Sequence, residues 1–257
     1  MIAFTTAELY ALIAAVLYPL ARVLAFMSIA PLFNNNAVPM RIRLLIGVAI
    51  TIGIAPLVPP IPAIEPSSAP GLLMLAREML IGFSMGFAMR IVFAAISMAG
   101  EQIGMQMGLG FAVSYDPLNT SQTPVMAEFL ALITTLIFLS INGHLMMVAT
   151  LAQGFQVLPI SLDGLPPTAW LNIVLHGKVI FATGMLLALP VTGAMIITNL
   201  SLGVLNRAAP QLNLFAIGFP VTIAGGFVIL LLTLNHLVPP LQRLFEAGLQ
   251  MMLAFPG

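Results

Sequence analysis

The sequence contains no cysteine, which removes disulfides, thiol catalysis and cysteine-based metal sites together. Charge is nearly as scarce: Asp, Glu, Lys and Arg make up 6% of 257 residues, against roughly 25% in an ordinary soluble domain. Eight basic residues balance eight acidic ones, thinly spread. No basic patch therefore exists for nucleic acid, and no polybasic tail for anionic lipid. No Lys or Arg precedes Arg22, so the opening MIAFTTAELYALIAAVLYPLARV lacks the charged head of a cleavable signal and reads as a first helix, with Thr5 and Glu8 at capping-box spacing. His144, His176 and His236 are far apart and fit no HExxH or similar pattern, so neither a metal nor another cofactor is expected.

What the chain has instead is apolar sequence, 60% of its residues. A bilayer crossing takes about 20 apolar residues, and the charge-free stretches Leu44 to Ile64, Phe129 to Leu162, Val179 to Asn206 and Ala208 to Gln242 are all longer. The expected fold class is all-α, of the polytopic membrane type, with kinked helices and helical hairpins. Periodicity and proline positions predict helices near 7–33, 40–57, 71–108, 124–142, 144–158, 168–205, 211–236 and 239–254. Prolines between Pro56 and Pro70, at Pro166-Pro167 and at Pro239-Pro240 act as breakers, while Pro19 and Pro190 sit inside helical runs and predict kinks.

Loop charges orient such a chain poorly, because Arg22, Arg90 and Lys178 lie in or beside apolar runs. Glu78 and Arg90 share a helical stripe with Gly82 and Gly86 but stand about 18 Å apart along an ideal helix. They cannot pair with each other. Each needs a partner from elsewhere in the fold or from another chain, since an unpaired charge in hydrocarbon costs several kcal/mol.

One polar island interrupts the apolar sequence: Gly100 to Thr123, GEQIGMQMGLGFAVSYDPLNTSQT. If its first part is helical, Gly100, Gly104 and Gly108 form one stripe that invites a close helix neighbour, and Gln102 and Gln106 lie opposite. After Gly110 the turn signals of Tyr115-Asp116-Pro117 and the Asn/Thr/Ser run end the helix. A polar loop in such a protein must face protein or water.

Several apparent chemical motifs have simpler readings. Gly82-Phe83-Ser84-Met85-Gly86 matches G-x-S-x-G, but a nucleophile elbow needs a strand and a sharp turn, whereas these flanks are continuous helix. Small-residue packing explains it. Gly108-x-Gly110 lacks the rest of a phosphate loop and reads as a turn. Glu101 and Asp116 could form a proton relay, yet Asp116 before Pro117 is a turn former. Asn142-Gly143-His144 and Asn235-His236 stand where apolar runs end and suggest helix-terminal hydrogen bonding. The seventeen methionines, including Met105, Met107, Met146, Met147, Met251 and Met252 near breaks or ends, suit packing filler or an adaptable seal.

The run Leu205-Asn206-Arg207-Ala208-Ala209-Pro210-Gln211-Leu212-Asn213-Leu214-Phe215-Ala216-Ile217-Gly218-Phe219-Pro220 closely resembles the signature of the FliR family, a component of the flagellar type III export apparatus. Arg207, Pro210, Gln211, Asn213, Gly218 and Pro220 carry that signature. Three further blocks agree: Arg22 to Pro31 with Val38-Pro39-x-Arg41, the Gly100-Glu101-Gln102-Ile103-Gly104-x-Gln106-x-Gly108 run with Asp116-Pro117, and Asn142-Gly143-His144. The resemblance covers essentially the whole chain. Injectisome proteins of the SctT family share the plan, but the Arg-Ala-Ala-Pro-Gln-Leu-Asn form looks flagellar.

The resemblance implies a non-enzymatic subunit of the inner-membrane export gate in the flagellar basal body. One copy would join five FliP and four FliQ subunits, with FlhB associated, to pass unfolded export substrates. The family plan implies one domain over residues 1–257, with a FliP-like portion over about 1–160 and a FliQ-like hairpin over about 161–257. Arg22, Glu78, Arg90, Glu101, Lys178 and Arg207 would then meet partner subunits rather than membrane lipid. A pore plug would lie near 106–123, carried by Gln106, Met107, Gly108, Leu109, Gly110, Phe111, Val113, Tyr115, Asp116 and Pro117. The alternative is a secondary transporter acting as a single chain, although no internal repeat links the two halves. An intramembrane enzyme would need a compact polar constellation that the sequence does not offer.

Overall fold

Serine and proline chemistry starts a helix of 38 residues. In the computed structural model, which describes residues 6–34, 38–62, 64–110, 124–209 and 214–254, Ser68 caps α3 (Ala69–Gln106) by accepting the Gly71 amide at 3.2 Å, with Pro70 in the first turn. Both residues suit a helix start, where amides have no intrahelical acceptor. No proline follows until Pro117, and α3 runs for 38 residues. The other helices are α1 (Thr6–Ile29), α2 (Met40–Ile54), α4 (Val125–Ser140), α5 (Gly143–Val157), α6 (Pro167–His176), α7 (Lys178–Ala208) and α8 (Leu214–Ala254), and the described residues include no strand. The all-α expectation holds. Among the described residues, five helical stretches are long and apolar enough to cross a membrane, six if the bent pair α4 and α5 counts as one span.

Two boundaries differ from expectation. The predicted helix over 168–205 is divided at Gly177. Pro239-Pro240 was expected to break the chain, yet α8 continues through it for 41 residues. Two prolines remove two amides and crowd the carbonyls one turn earlier, but the remaining bonds of a long helix carry it across. Consequently Asn235 and His236 lie within a helix rather than at its end. Pro19 and Pro190 lie inside α1 and α7 as anticipated.

The described chain falls into two compact units that do not follow chain order. Unit 1 comprises Met1–Ile91, Ile141–His176 and Phe245–Gly257; unit 2 comprises Val92–Ser140 and Gly177–Leu244. In unit 1, the first part of α3 packs on α1 through Gly82 and Gly86. A Cβ on Gly82 would strike the Arg22 carbonyl, and one on Gly86 would stand 2.7 Å from the Phe26 carbonyl. Tyr18, Phe26, Met74, Ile81, Met85, Phe155 and Phe245 fill its core.

In unit 2 the same device recurs at Gly100, where a Cβ would lie 2.5 Å from Ala127 Cα on α4, and at Gly104 against Met126. Phe93 and Phe138 meet edge to face at 5.6 Å, a favoured aromatic geometry. Much apolar surface stays uncovered elsewhere. Within the most apolar stretches, 61% of α3 is buried against 17% in Met40–Leu57 and 22% in Ile217–Leu234.

Candidate functional site

Unit 1 holds a charged pair with no exposure. Arg22 Nε donates to Glu78 Oε2 at 2.6 Å, and Nη2 pairs with the same oxygen. Arg22 Nη1 donates to the Gly154 carbonyl at 3.1 Å and Nη2 to the Leu158 carbonyl at 2.9 Å. These carbonyls belong to the end of α5, where the helix dipole favours a cation; the Gly154 carbonyl also accepts the Leu158 amide at 2.9 Å. The guanidinium also stacks 4.1 Å from the centroid of the Phe155 ring, a cation–π contact. Arg77 completes the set: its Nη1 donates to Glu78 Oε1 at 2.9 Å and to the Pro159 carbonyl at 3.1 Å.

Of the two sources of a partner left open for Arg22 and Glu78, the fold supplies the internal one. Both side chains are fully buried, so a subunit contact through either charge is replaced by their contact with each other. Arg90, Glu101, Lys178 and Arg207 are exposed. Arg77, Phe155 and the α5 carbonyls were missed, because sequence distance hides which helix end meets Arg22.

In unit 2 the end of α3 forms a Schellman turn. The Gly108 amide bonds the Met105 carbonyl at 3.1 Å and the Leu109 amide bonds the Gly104 carbonyl at 3.0 Å, while Gly108 takes φ 82°. Such a turn needs a left-handed residue directly after the helix, which glycine adopts freely. Met107 is fully buried, Gln106 and Leu109 are half-buried, and Gly110 is exposed. A groove beside this end is lined by Glu101, Met105, Leu109 and Gly110 with Pro124, Val125 and Met126. Phe111, Val113, Tyr115, Asp116 and Pro117 lie outside the described residues, as do Pro210, Gln211 and Asn213 of the signature motif. Gly218 is buried in α8, and Pro220 is exposed on it.

The remaining motifs sort plainly. Ser84 sits mid-helix and donates to the Leu80 carbonyl at 2.8 Å, a packing position rather than an elbow. No group of three metal-ligating side chains occurs among the described residues. Asn142 makes no side-chain cap to α5; it turns the chain with φ 58° and offers its backbone carbonyl to the Leu145 and Met146 amides. Helix-terminal bonding there is thus backbone bonding, and asparagine is present because it tolerates the left-handed region. The methionines near breaks divide, with Met107, Met147 and Met252 buried and Met105 and Met146 exposed.

The model of the family described as "Bacterial export proteins, family 1" matches residues 13–248. The flagellar biosynthetic protein FliR of Pectobacterium carotovorum subsp. carotovorum is 39% identical over 246 residues, covering 96% of this chain and 94% of that protein. FliR of Escherichia coli K12 is 39% identical over 231 residues, 89% and 87% of the two chains. FliR of Aquifex aeolicus is 32% identical over 228 residues, 88% and 87%.

Proposed function

This chain belongs to the FliR family of bacterial flagellar export proteins, and from that membership we propose that it is a structural and gating subunit of the export gate. It is an export apparatus component with membrane-type helices. The finer reading is a pore assembled with FliP and FliQ, one copy to five and four, with FlhB alongside, in the inner membrane of the basal body. Residues 1–160 would stand in for a FliP-like portion and 161–257 for a FliQ-like hairpin. Unfolded export substrates would cross the pore, and the subunit itself would catalyse nothing.

The observation that carries this reading is the exposure of Arg90, Glu101, Lys178 and Arg207 on helices that also expose many large apolar side chains, such as Phe87, Met105, Phe181 and Val204. Hydrocarbon satisfies none of these charges. Partner chains with opposite charges would satisfy all four. Charge-swap pairs between these positions and partner subunits should restore assembly that the single reversals disrupt, and failure of every pairing would remove the subunit-contact reading.

The test of the whole is native mass spectrometry of this chain co-expressed with its cognate FliP and FliQ, tagged on this chain alone. A defined particle with one copy of it and several of each partner supports the gate. A free monomer, seen while the partners assemble without it, would return the single-chain transporter. The plug reading, residues 106–123, has its own test: shortening the chain between Gly110 and Asn119 should make the resting assembly leak ions while leaving assembly intact.

A further inference from the structure

The last turn of α3 leaves carbonyls that its own helix cannot satisfy, and each has a partner. Ile103 receives the Met107 amide, Gly104 the Leu109 amide and Met105 the Gly108 amide. Two carbonyls then remain, those of Gln106 and Met107, and both are met from other helices. Asn199 Nδ2 of α7 donates to Gln106 at 3.3 Å, and Thr222 Oγ1 of α8 donates to Met107 at 3.1 Å. The Met107 side chain, fully buried, lies against Gly226 so closely that a Cβ there would strike its Cγ.

These contacts are unequal in what happens when they part. The Thr222 hydroxyl also lies 3.1 Å from the Phe219 carbonyl of its own helix, so it keeps an acceptor when Met107 leaves. Asn199 is exposed, so its amide turns to water. The α7 and α8 side of the contact therefore loses little on separation, whereas the α3 side loses two bonds and the seat of Met107. We propose that Asn199, Thr222 and Gly226 form a releasable clasp on the end of α3, one that sets how often Gln106 and Met107 leave their resting position. Any effect of the clasp on gating rests on the reading given above; its existence does not.

Hydrogen exchange on the assembled complex tests it, since amide exchange reports local opening. Thr222→Val keeps the side-chain shape but deletes the donor, and loss of one such bond should raise exchange across 104–109 about five- to tenfold. Thr222→Ser restores the donor and should restore wild-type exchange. Equal exchange in Thr222→Val and wild type, or an equal rise in Thr222→Ser, overturns the clasp. Should Thr222→Val fail to assemble, Asn199→Ala removes the other donor from an exposed position and should give a smaller rise; no rise overturns the clasp as well. Ion leak separates this from gating. Faster exchange in Thr222→Val with no leak after loop shortening upholds the clasp and removes the gating reading; leak after shortening with unchanged exchange does the reverse.

Discussion

In unit 1 the polar centre is charged and buried: Arg22, Glu78 and Arg77 meet one another and two carbonyls at the end of α5, with Arg22 and Glu78 fully buried. In unit 2 the corresponding place, the end of α3, holds neutral donors and carbonyls, and one of its two cross-helix donors stands at the surface. Both arrangements satisfy helix-end carbonyls, but they differ in what separation would strand. Parting Arg22 from Glu78 strands two desolvated charges, which costs several kcal/mol per ion. Parting Thr222 from Met107 strands one neutral carbonyl, about 1–3 kcal/mol. The first is a permanent fastener. The second can part at lower cost.

The sharpest way to break this comparison is Arg22→Met. It leaves Glu78 buried with only the partly exposed Arg77, and should cost about 3–5 kcal/mol, read as a large fall in the thermal midpoint and yield of the purified assembly. Arg22→Met with Glu78→Met replaces the pair by apolar side chains of similar size, and should recover most of that loss. A double variant as damaged as the single one would show that the pair contributes more than mutual neutralisation.

The helices of this fold were legible because a bilayer-scale apolar run leaves few alternatives, and because Gly82, Gly86, Gly100 and Gly104 stand at the spacing that close helix packing requires. That Glu78 and Arg90 could not pair was also legible, from helix rise alone. Which partner Glu78 finds was not, since Arg22 lies 56 positions earlier and nothing local encodes that meeting. Pro239-Pro240 misled for a related reason: a breaker acts on local hydrogen bonding, and α8 continues on both sides of the lost bonds. Thr222 and Asn199 were invisible because a threonine or asparagine in an apolar helix carries no sign of whether its donor faces its own backbone or a neighbour.

Next in size come the glycine contacts, which sharpen the comparison by testing packing without charge. Gly82→Ala and Gly100→Ala place a Cβ against backbone of α1 and α4, which cannot yield as a side-chain tip would. Each should destabilise by about 1–3 kcal/mol, measured by thermal unfolding of the purified assembly. Similar losses at the two sites would show that the units are packed alike and differ only in their polar centres. A loss at Gly82 alone would extend the difference to packing. Gly108→Ala should fall below both, at about 1–2 kcal/mol for the left-handed φ, and it should loosen the end of α3 while leaving the Arg22 cluster unaltered.

The smallest effect has the opposite sign. Gly193, Gly203 and Gly225 lie in the helices of unit 2 with nothing within 4 Å of an added Cβ, unlike the glycines that hold α3. In a helix interior alanine is favoured over glycine by about 1 kcal/mol, so Gly193→Ala should slightly stabilise the isolated chain in detergent. The informative measurement is the same substitution in the assembled particle. Lipid is fluid and accepts a methyl group, so a face that meets lipid keeps the gain. A face that meets another helix at glycine distance loses it, because the new Cβ strikes backbone that the chain itself does not supply. We expect Gly193→Ala to gain in the isolated chain and to lose in the particle, since α7 exposes Phe181, Leu186, Leu189, Ile197 and Leu200 around this position. A gain retained in both would assign that face of α7 to lipid.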